Sequence, residues 1–118
     1  MPLKSKSEML NLARQMQAYV EKNYTQPLTL ADVGRHFGYT PEHVCRLLKK
    51  HLGMGFVDCL WGARLRKAKR LLRQTRLPIY EIAPRCGFKY KDHFFKVFKK
   101  VEGITPRKYR LQRQISGD

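Results

Sequence analysis

The chain carries one residue pattern twice, and this repeat is the strongest constraint on its fold. Residues 30–39 (LADVGRHFGY) and 44–50 (VCRLLKK) are matched by residues 79–88 (IYEIAPRCGF) and 94–100 (FFKVFKK). Each copy reads as a short helix, a turn with a glycine and an aromatic residue, and a second helix with a basic outer face. This order is typical of a helix-turn-helix, which places its second helix in the major groove of DNA. The repeat therefore predicts two helix-turn-helix motifs in one chain.

The charge of the chain is strongly unbalanced. Lysine and arginine number 25 against 9 aspartates and glutamates, for a formal net charge of +16. Self-repulsion on this scale disfavours the compact state, which indicates a polyanionic partner that neutralises it. Nucleic acid is the usual partner, but a ribosomal or RNA-chaperone role, or adhesion to acidic lipid, would fit the charge as well.

Length and composition favour a small folded protein. With 118 residues and 42% hydrophobic content, the chain can form one ordinary domain or two small subdomains with real cores. No apolar run approaches the roughly 20 residues that span a bilayer. The first residues, MPLKSK, lack the apolar stretch of a signal peptide. We therefore expect no membrane partner and a cytoplasmic, nucleoid-associated location.

The three cysteines, Cys45, Cys59 and Cys86, are far apart and lack CxxC spacing. This favours reduced structural thiols over disulfides or a zinc site.

Capping residues mark the helices of the first copy. An amphipathic helix with apolar residues from Met9 to Tyr24 comes first, and we expect it to brace the motif rather than bind. Thr29 is the expected N-cap of the second helix, and Thr40, followed by Pro41, is that of the third.

The third helix has two distinct faces. Its apolar face, expected in the core, carries Val44, Leu47, Leu48 and His51. The opposite face carries Glu42, Cys45, Arg46 and Lys49. Arg46 is well placed to contact guanine O6/N7 or a phosphate, and an ordinary solvated arginine is the alternative.

The second copy has the same arrangement with some anomalies. Its apolar face carries Phe94, Val97, Phe98 and Val101. Phe95, on the other face, either tucks into a neighbouring subdomain or meets thymine methyl groups. Asp92 either accepts from cytosine N4 or stabilises the helix start. Pro84 falls inside the preceding helix, where it removes one hydrogen bond, so we expect the second unit to be the softer half.

Between the copies, the sequence predicts a long helix from Phe56 to about Thr75 that bridges them. It carries seven positive charges, which suggests contact with or proximity to phosphate, with a solvated basic face as the alternative: Arg64, Arg66, Lys67, Lys69, Arg70, Arg73 and Arg76. Trp61 is expected to fill a core.

Taken together, these residues resemble the DNA-binding domain of the AraC/XylS family of bacterial transcription regulators over roughly residues 16–110. The most specific matches are Arg64-Leu65, Ala68, Leu71-Leu72, Ile79, Glu81-Ile82-Ala83, Gly87-Phe88, Phe94, Phe98-Lys99-Lys100, Gly103-Ile104-Thr105-Pro106 and Tyr109-Arg110. The resemblance implies an all-α, bilobal fold of about seven helices, with two helix-turn-helix subdomains joined by a long linker helix. It also implies that residues 40–51 and 91–101 enter successive major grooves.

Departures from the family pattern lie mostly in the second copy. Family members usually continue the helix without a proline at Pro84, and commonly have a small capping residue such as Asp or Ser in place of Tyr90. Serine is common in place of Asp92 and arginine in place of Lys96, and Cys59 replaces a usual aromatic residue. The departures predict weaker sequence reading by the second unit.

The resemblance implies a sequence-specific regulator that binds double-stranded promoter DNA. Because the family mostly activates, we expect an activator that acts with RNA polymerase, binds DNA as a monomer and needs no cofactor. Family members typically carry a separate ligand-binding or dimerisation domain, so the chain is either a stand-alone regulator or a domain of a larger protein.

The expected organisation is a helix-turn-helix subdomain at residues 8–55, a linker helix at 56–76 and a second helix-turn-helix subdomain at 77–113. The first recognition helix is expected to bind DNA through Thr40, Glu42, His43, Cys45, Arg46, Lys49 and Lys50. The second is expected to use Lys89, Lys91, Asp92, Phe95, Lys96 and Lys99. The candidate phosphate contacts are Arg64, Lys69, Arg73 and Arg107.

The two alternatives to this hypothesis are an enzyme and a sequence-indifferent nucleic-acid-binding protein. An enzyme is disfavoured, because the four histidines and three cysteines form no HExxH, CxxC or Ser/His/Asp arrangement, and no metal site is expected. The stronger rival is a sequence-indifferent nucleic-acid-binding protein, for which the basic long helix and a weakened second unit would suffice.

Overall fold

The computed structural model describes residues 5–115, with side chains described through residue 113. All regular elements in this range are α-helices: α1 (Lys6–Lys22), α2 (Leu30–Phe37), α3 (Pro41–Leu52), α4 (Phe56–Gln74), α5 (Ile79–Arg85), α6 (Lys91–Glu102) and α7 (Pro106–Ile115). The all-α fold with two helix-turn-helix pairs, α2–α3 and α5–α6, is thus confirmed.

The helices pack around two hydrophobic cores. The chain divides into two compact units, one ending at Leu60 and the other beginning at Trp61. The first core draws on α1 to α3 and the start of α4, and it fully buries Val33 and Leu48. The second draws on the rest of α4 and on α5 to α7, and it fully buries Phe98. Each helix-turn-helix therefore has its own core, while the expected three-segment organisation stays a prediction.

Side-chain caps start the helices of the first unit. The Asp32 carboxylate accepts the backbone N–H of Thr29 at 2.9 Å, and the Thr29 hydroxyl accepts the N–H of Asp32 at 3.1 Å. The backbone N–H of Thr29, and then its hydroxyl, lower the pKa of Asp32. Thr40 caps α3 by accepting the N–H of His43 at 3.1 Å. Both expected caps are confirmed, and Ser5 forms a further capping box at the start of α1.

The two turns differ at matching positions. In the first, Gly38 follows α2 as its C-cap residue with φ 79°, and the N–H of Tyr39 donates to the Gly34 carbonyl at 2.8 Å. A Cβ on Gly34 would collide with the carbonyl oxygen of Tyr39, so this position needs glycine. In the second turn Ala83 stands at the matching place, and its carbonyl accepts the N–H of Phe88 at 3.0 Å.

The second helix-turn-helix lacks two local stabilising features that the first has. Pro84 lies inside α5, one residue before its end at Arg85, and has no N–H to donate to the carbonyl of Tyr80. Tyr90 is the N-cap residue of α6, but it makes no side-chain capping hydrogen bond, whereas Thr40 caps α3. The backbone N–H groups in the first turn of α6 therefore lack the partner that a serine or aspartate would supply.

We expect Tyr90→Ser to raise the free energy of unfolding by about 1 kcal/mol, because a serine hydroxyl can accept a first-turn N–H of α6. The Tyr90 ring is 64% exposed, so its removal opens no cavity. Thr40→Ala is the matched control and should lower the free energy by about the same amount. Urea unfolding of both variants measures the effects. A loss of stability in Tyr90→Ser would contradict this account of the α6 start.

The prediction that Val101 belongs to the core is wrong. Val101 is 54% exposed, although the other three residues of its expected face are at most 3% exposed: Phe94, Val97 and Phe98. Val101 lies in the last turn of α6, where Glu102 rather than Val101 meets α4 by pairing with Lys69. The period of the helix predicts a face, but it does not show where the neighbouring helices stop covering that face.

Two further core predictions hold in part. His51 is half-buried in α3, beside the fully covered Leu48. Trp61 is half-buried and packs against the second core, with its ring centroid 5.8 Å from that of His93.

Candidate nucleic-acid interface

Helix α3 separates a buried apolar side from an exposed polar side. Val44, Leu47 and Leu48 are at most 4% exposed and hold the helix on the first core. The exposed residues among those predicted to bind DNA are Thr40, Glu42, Arg46, Lys49 and Lys50, while His43 and Cys45 are half-buried. The structure thus brings the predicted residues together on one helix with its cationic side chains toward solvent.

Three side chains of this set also make local contacts. The Thr40 hydroxyl caps the helix, and the ring centroid of His43 lies 4.9 Å from that of Tyr39. The stem of Lys49 passes close to Gly55, where an added Cβ would lie 3.3 Å from Lys49 Cε. Arg46 and Lys50 are exposed cations of α3 for which no such local contact is described.

Helix α6 presents a similar surface in the second unit. Phe94, Val97 and Phe98 anchor it on the core. The predicted residues Lys91, Asp92, Lys96 and Lys99 of α6 are exposed, as is Lys89 in the turn before the helix. Asp92 lies in the first turn, where a carboxylate interacts favourably with the helix dipole.

Phe95 is half-buried on α6. Its ring centroid lies 6.0 Å from that of Phe94, and the Lys91 Nζ lies 6.0 Å from the Phe95 ring centroid. The ring is thus partly covered by neighbours on its own helix, and both roles considered for it, packing against a neighbouring subdomain or contact with thymine, stay predictions.

Three of the four predicted phosphate contacts have partners inside the second unit. Arg64 is only 7% exposed, its guanidinium carbon lies 5.4 Å from the Phe88 ring centroid, and burial lowers its pKa. Lys69 Nζ lies 3.4 Å from the Glu102 carboxylate, and Arg73 donates to the Tyr109 hydroxyl at 2.8 Å. Direct phosphate binding by Arg64 would require it to leave this position. The fourth, Arg107, is exposed at the start of α7.

Arg110 is a structural residue that the site prediction missed. Its Nε donates to the Leu72 carbonyl at 3.1 Å, and its Nη2 donates to the Thr75 carbonyl at 3.4 Å. These bonds give a partner to the carbonyl of Leu72, in the last turn of α4, and to that of Thr75, which directly follows the helix. The sequence matched Tyr109-Arg110 to a family pattern, but only the fold shows what Arg110 contacts.

Cys45, Cys59 and Cys86 are free in the structure. Cys59 and Cys86 are buried, and burial raises the pKa of Cys86 to about 11, which keeps it protonated at neutral pH. No group of three or more histidine, cysteine or acidic side chains in the described part of the chain could hold a metal ion. None of the helices described is both long and apolar enough to cross a membrane.

The two units, each with an exposed basic face on its second helix, define a protein of the helix-turn-helix class. A family model described as a helix-turn-helix domain matches residues 33–112. The chain belongs to the AraC-type family of helix-turn-helix transcription regulators.

Relatives and solved structures agree with this assignment. The chain is 38% identical to the uncharacterised regulator YpdC of Escherichia coli over 81% of its own length and 34% of YpdC. It is 33% identical to the transcriptional activator AarP of Providencia stuartii over 86% of its length and 75% of AarP. The C-terminal domain of the response regulator AraT from Geobacillus stearothermophilus has a TM-score of 0.83 and 37% identity, covering 86% of this chain and 85% of that domain. The chain thus spans about a third of YpdC but most of AarP.

Proposed function

We propose that this chain is a sequence-specific transcription regulator that binds double-stranded promoter DNA, with α3 and α6 in successive major grooves. The observation that carries this proposal is the duplicated motif: two second helices, each anchored by its own core, each expose a basic face. A helix in this position is the one that reads base edges in the major groove. Membership of the AraC-type family supports the proposal.

We extend the proposal to the form in which the protein acts. A single chain contains both recognition helices, α3 and α6, which supports binding as a monomer. The description of the relative AarP as an activator supports activation, for which RNA polymerase is the proposed partner. We further propose a nucleoid-associated location and a binding function without catalysis or a cofactor.

We assign different roles to the cations. Arg46 and Lys96 are exposed on the recognition helices, and we propose that they contact base edges. Arg107 is exposed outside them, and we propose that it contacts a phosphate. Lys69 and Arg73 have internal partners, so their role in DNA binding rests on whether those contacts are exchanged for phosphate.

The rival proposal is sequence-indifferent binding, supported by the net charge of +16 and by the uncapped start of α6. Selecting bound duplexes from a random pool at near-physiological salt separates the two proposals. Enrichment of a motif with two boxes supports the regulator. Recovery of the pool without enrichment contradicts it and favours the rival.

We expect Arg46→Ala and Lys96→Ala each to weaken binding to the selected duplex by about 1–3 kcal/mol and to relax preference at one base position. Arg107→Ala should instead weaken binding to all duplexes alike. Titrations of each variant with selected and random duplexes measure the difference. Equal losses on the two duplexes would reassign Arg46 or Lys96 to the DNA backbone.

A further inference from the structure

Helix α1 forms a cleft with α3, the proposed first recognition helix. The cleft has a volume of about 300 Å³ and lies entirely within the first unit. Met9 from α1 and Leu47 from α3 contribute apolar surface to it. The sequence pattern of α1 predicts a bracing role only, and a cleft that α1 shares with the candidate interface extends that role.

The charged groups that line this cleft are cationic. Lys6 of α1 lines the cleft, and so do Arg46, Lys50 and His43 of α3. All three cations are exposed, and the residues described as lining the cleft include no acid. Several cations gathered around one cleft repel each other, and an anion placed among them relieves that repulsion.

The position of Lys6 in its helix is a second, independent observation. Lys6 is the first residue of α1, directly after the N-cap residue Ser5. A cation here faces the positive end of the helix dipole, which is unfavourable for helix stability. Residues that break a local rule in this way are expected where function requires them. Glu8, which completes the capping box, shows the type of charge that stabilises this turn.

We propose that this cleft binds a sugar-phosphate unit of the DNA backbone, with Lys6 contacting the phosphate and Met9 contacting the deoxyribose. This inference rests on the proposed function, because it needs α3 in the adjacent major groove. The Lys6 and Lys50 side chains match the charge of the phosphate, and the apolar surface of Met9 and Leu47 matches the carbons of the sugar. Phosphate contacts fix the position of a protein on DNA, so α1 would set the register in which α3 reads the bases.

Lys6→Ala, with Arg14→Ala as the matched control, tests the cleft. Each variant removes one positive charge from α1, but Arg14 is exposed elsewhere on the helix and does not line the cleft. If Lys6 neutralises one phosphate, the slope of log affinity against log salt becomes shallower by about 0.9. The ratio of wild-type to Lys6→Ala affinity should then fall about 3.5-fold between roughly 50 and 200 mM salt, on selected and random duplexes alike. Lys6→Arg should restore the wild-type slope.

The same titrations separate failure of this inference from failure of the proposed function. A wild-type chain that binds selected and random duplexes equally overturns the proposed function. A selective wild-type chain whose salt slope is changed no more by Lys6→Ala than by Arg14→Ala overturns the cleft alone. A shallower slope with Lys6→Ala, the wild-type slope with Arg14→Ala, and no loss of thermal stability in either variant are the results that the cleft predicts.

Discussion

Phe94→Ala is expected to lower the free energy of unfolding of the second unit by about 3–5 kcal/mol. The Phe94 side chain is 0% exposed, with its ring centroid 5.3 Å from that of Phe88 and 5.8 Å from that of Phe98. Removing the ring leaves a cavity where α6 meets its core, and neighbours that are themselves large rings fill it poorly. Because the stability of a small domain is only about 5–15 kcal/mol, the variant should lose a large fraction of the stability of the second unit.

Phe95→Ala is the matched control for Phe94→Ala. It makes the same chemical change one position along α6, where the ring is only half-buried, so it should cost much less. Urea unfolding gives the two free energies, and hydrogen exchange locates the loss of protection in residues 79–109. Similar losses for Phe94→Ala and Phe95→Ala would contradict the assignment of the buried and exposed sides of α6.

Gly34→Ala is expected to lower the free energy of unfolding of the first unit by about 3 kcal/mol. Alanine is a better helix former than glycine, which alone would stabilise α2. The new Cβ, however, would collide with the Tyr39 carbonyl oxygen, and this backbone atom can move only if the whole turn moves. The steric cost therefore exceeds the gain in helix propensity.

Gly38→Asn provides the control in the same turn. Gly38 has φ 79°, a conformation that asparagine tolerates better than most residues, and nothing lies within 4 Å of an added Cβ. We expect it to cost less than about 1 kcal/mol. Thermal unfolding of both variants measures the difference. A stable Gly34→Ala chain would show that the first turn can adopt the geometry that the second turn has around Ala83.

The parts of the fold that depend on local chemistry were predictable from the sequence. Thr29 and Thr40 cap the expected helices because a hydroxyl before a helix satisfies its first N–H groups wherever the helix later packs. The repeated glycine-aromatic turns were also predictable, because glycine adopts positive φ without strain, as Gly38 and Gly87 do. The helical period also predicted the buried sides of α3 and most of that of α6.

The parts that depend on contacts between distant residues were not predictable. Arg64, Lys69 and Arg73 are cations on one helix, and a charge pattern does not reveal that they meet Phe88, Glu102 and Tyr109. The exposure of Val101 likewise depends on what packs beyond it. The cleft between α1 and α3 follows from how two helices pack, which no periodicity encodes. The base contacts assigned to individual residues stay predictions, because exposure makes a side chain accessible to DNA but does not establish a contact.

Footprinting of a selected duplex, combined with ultracentrifugation of the complex, tests the central claim most directly. The two recognition helices of one chain should protect two boxes whose centres lie about 10 bp apart on one face of the duplex. The protein in that complex should be a monomer. Complexes that contain only dimers, with each chain protecting a single short box, would contradict the claim that both helix-turn-helix units of one chain read DNA.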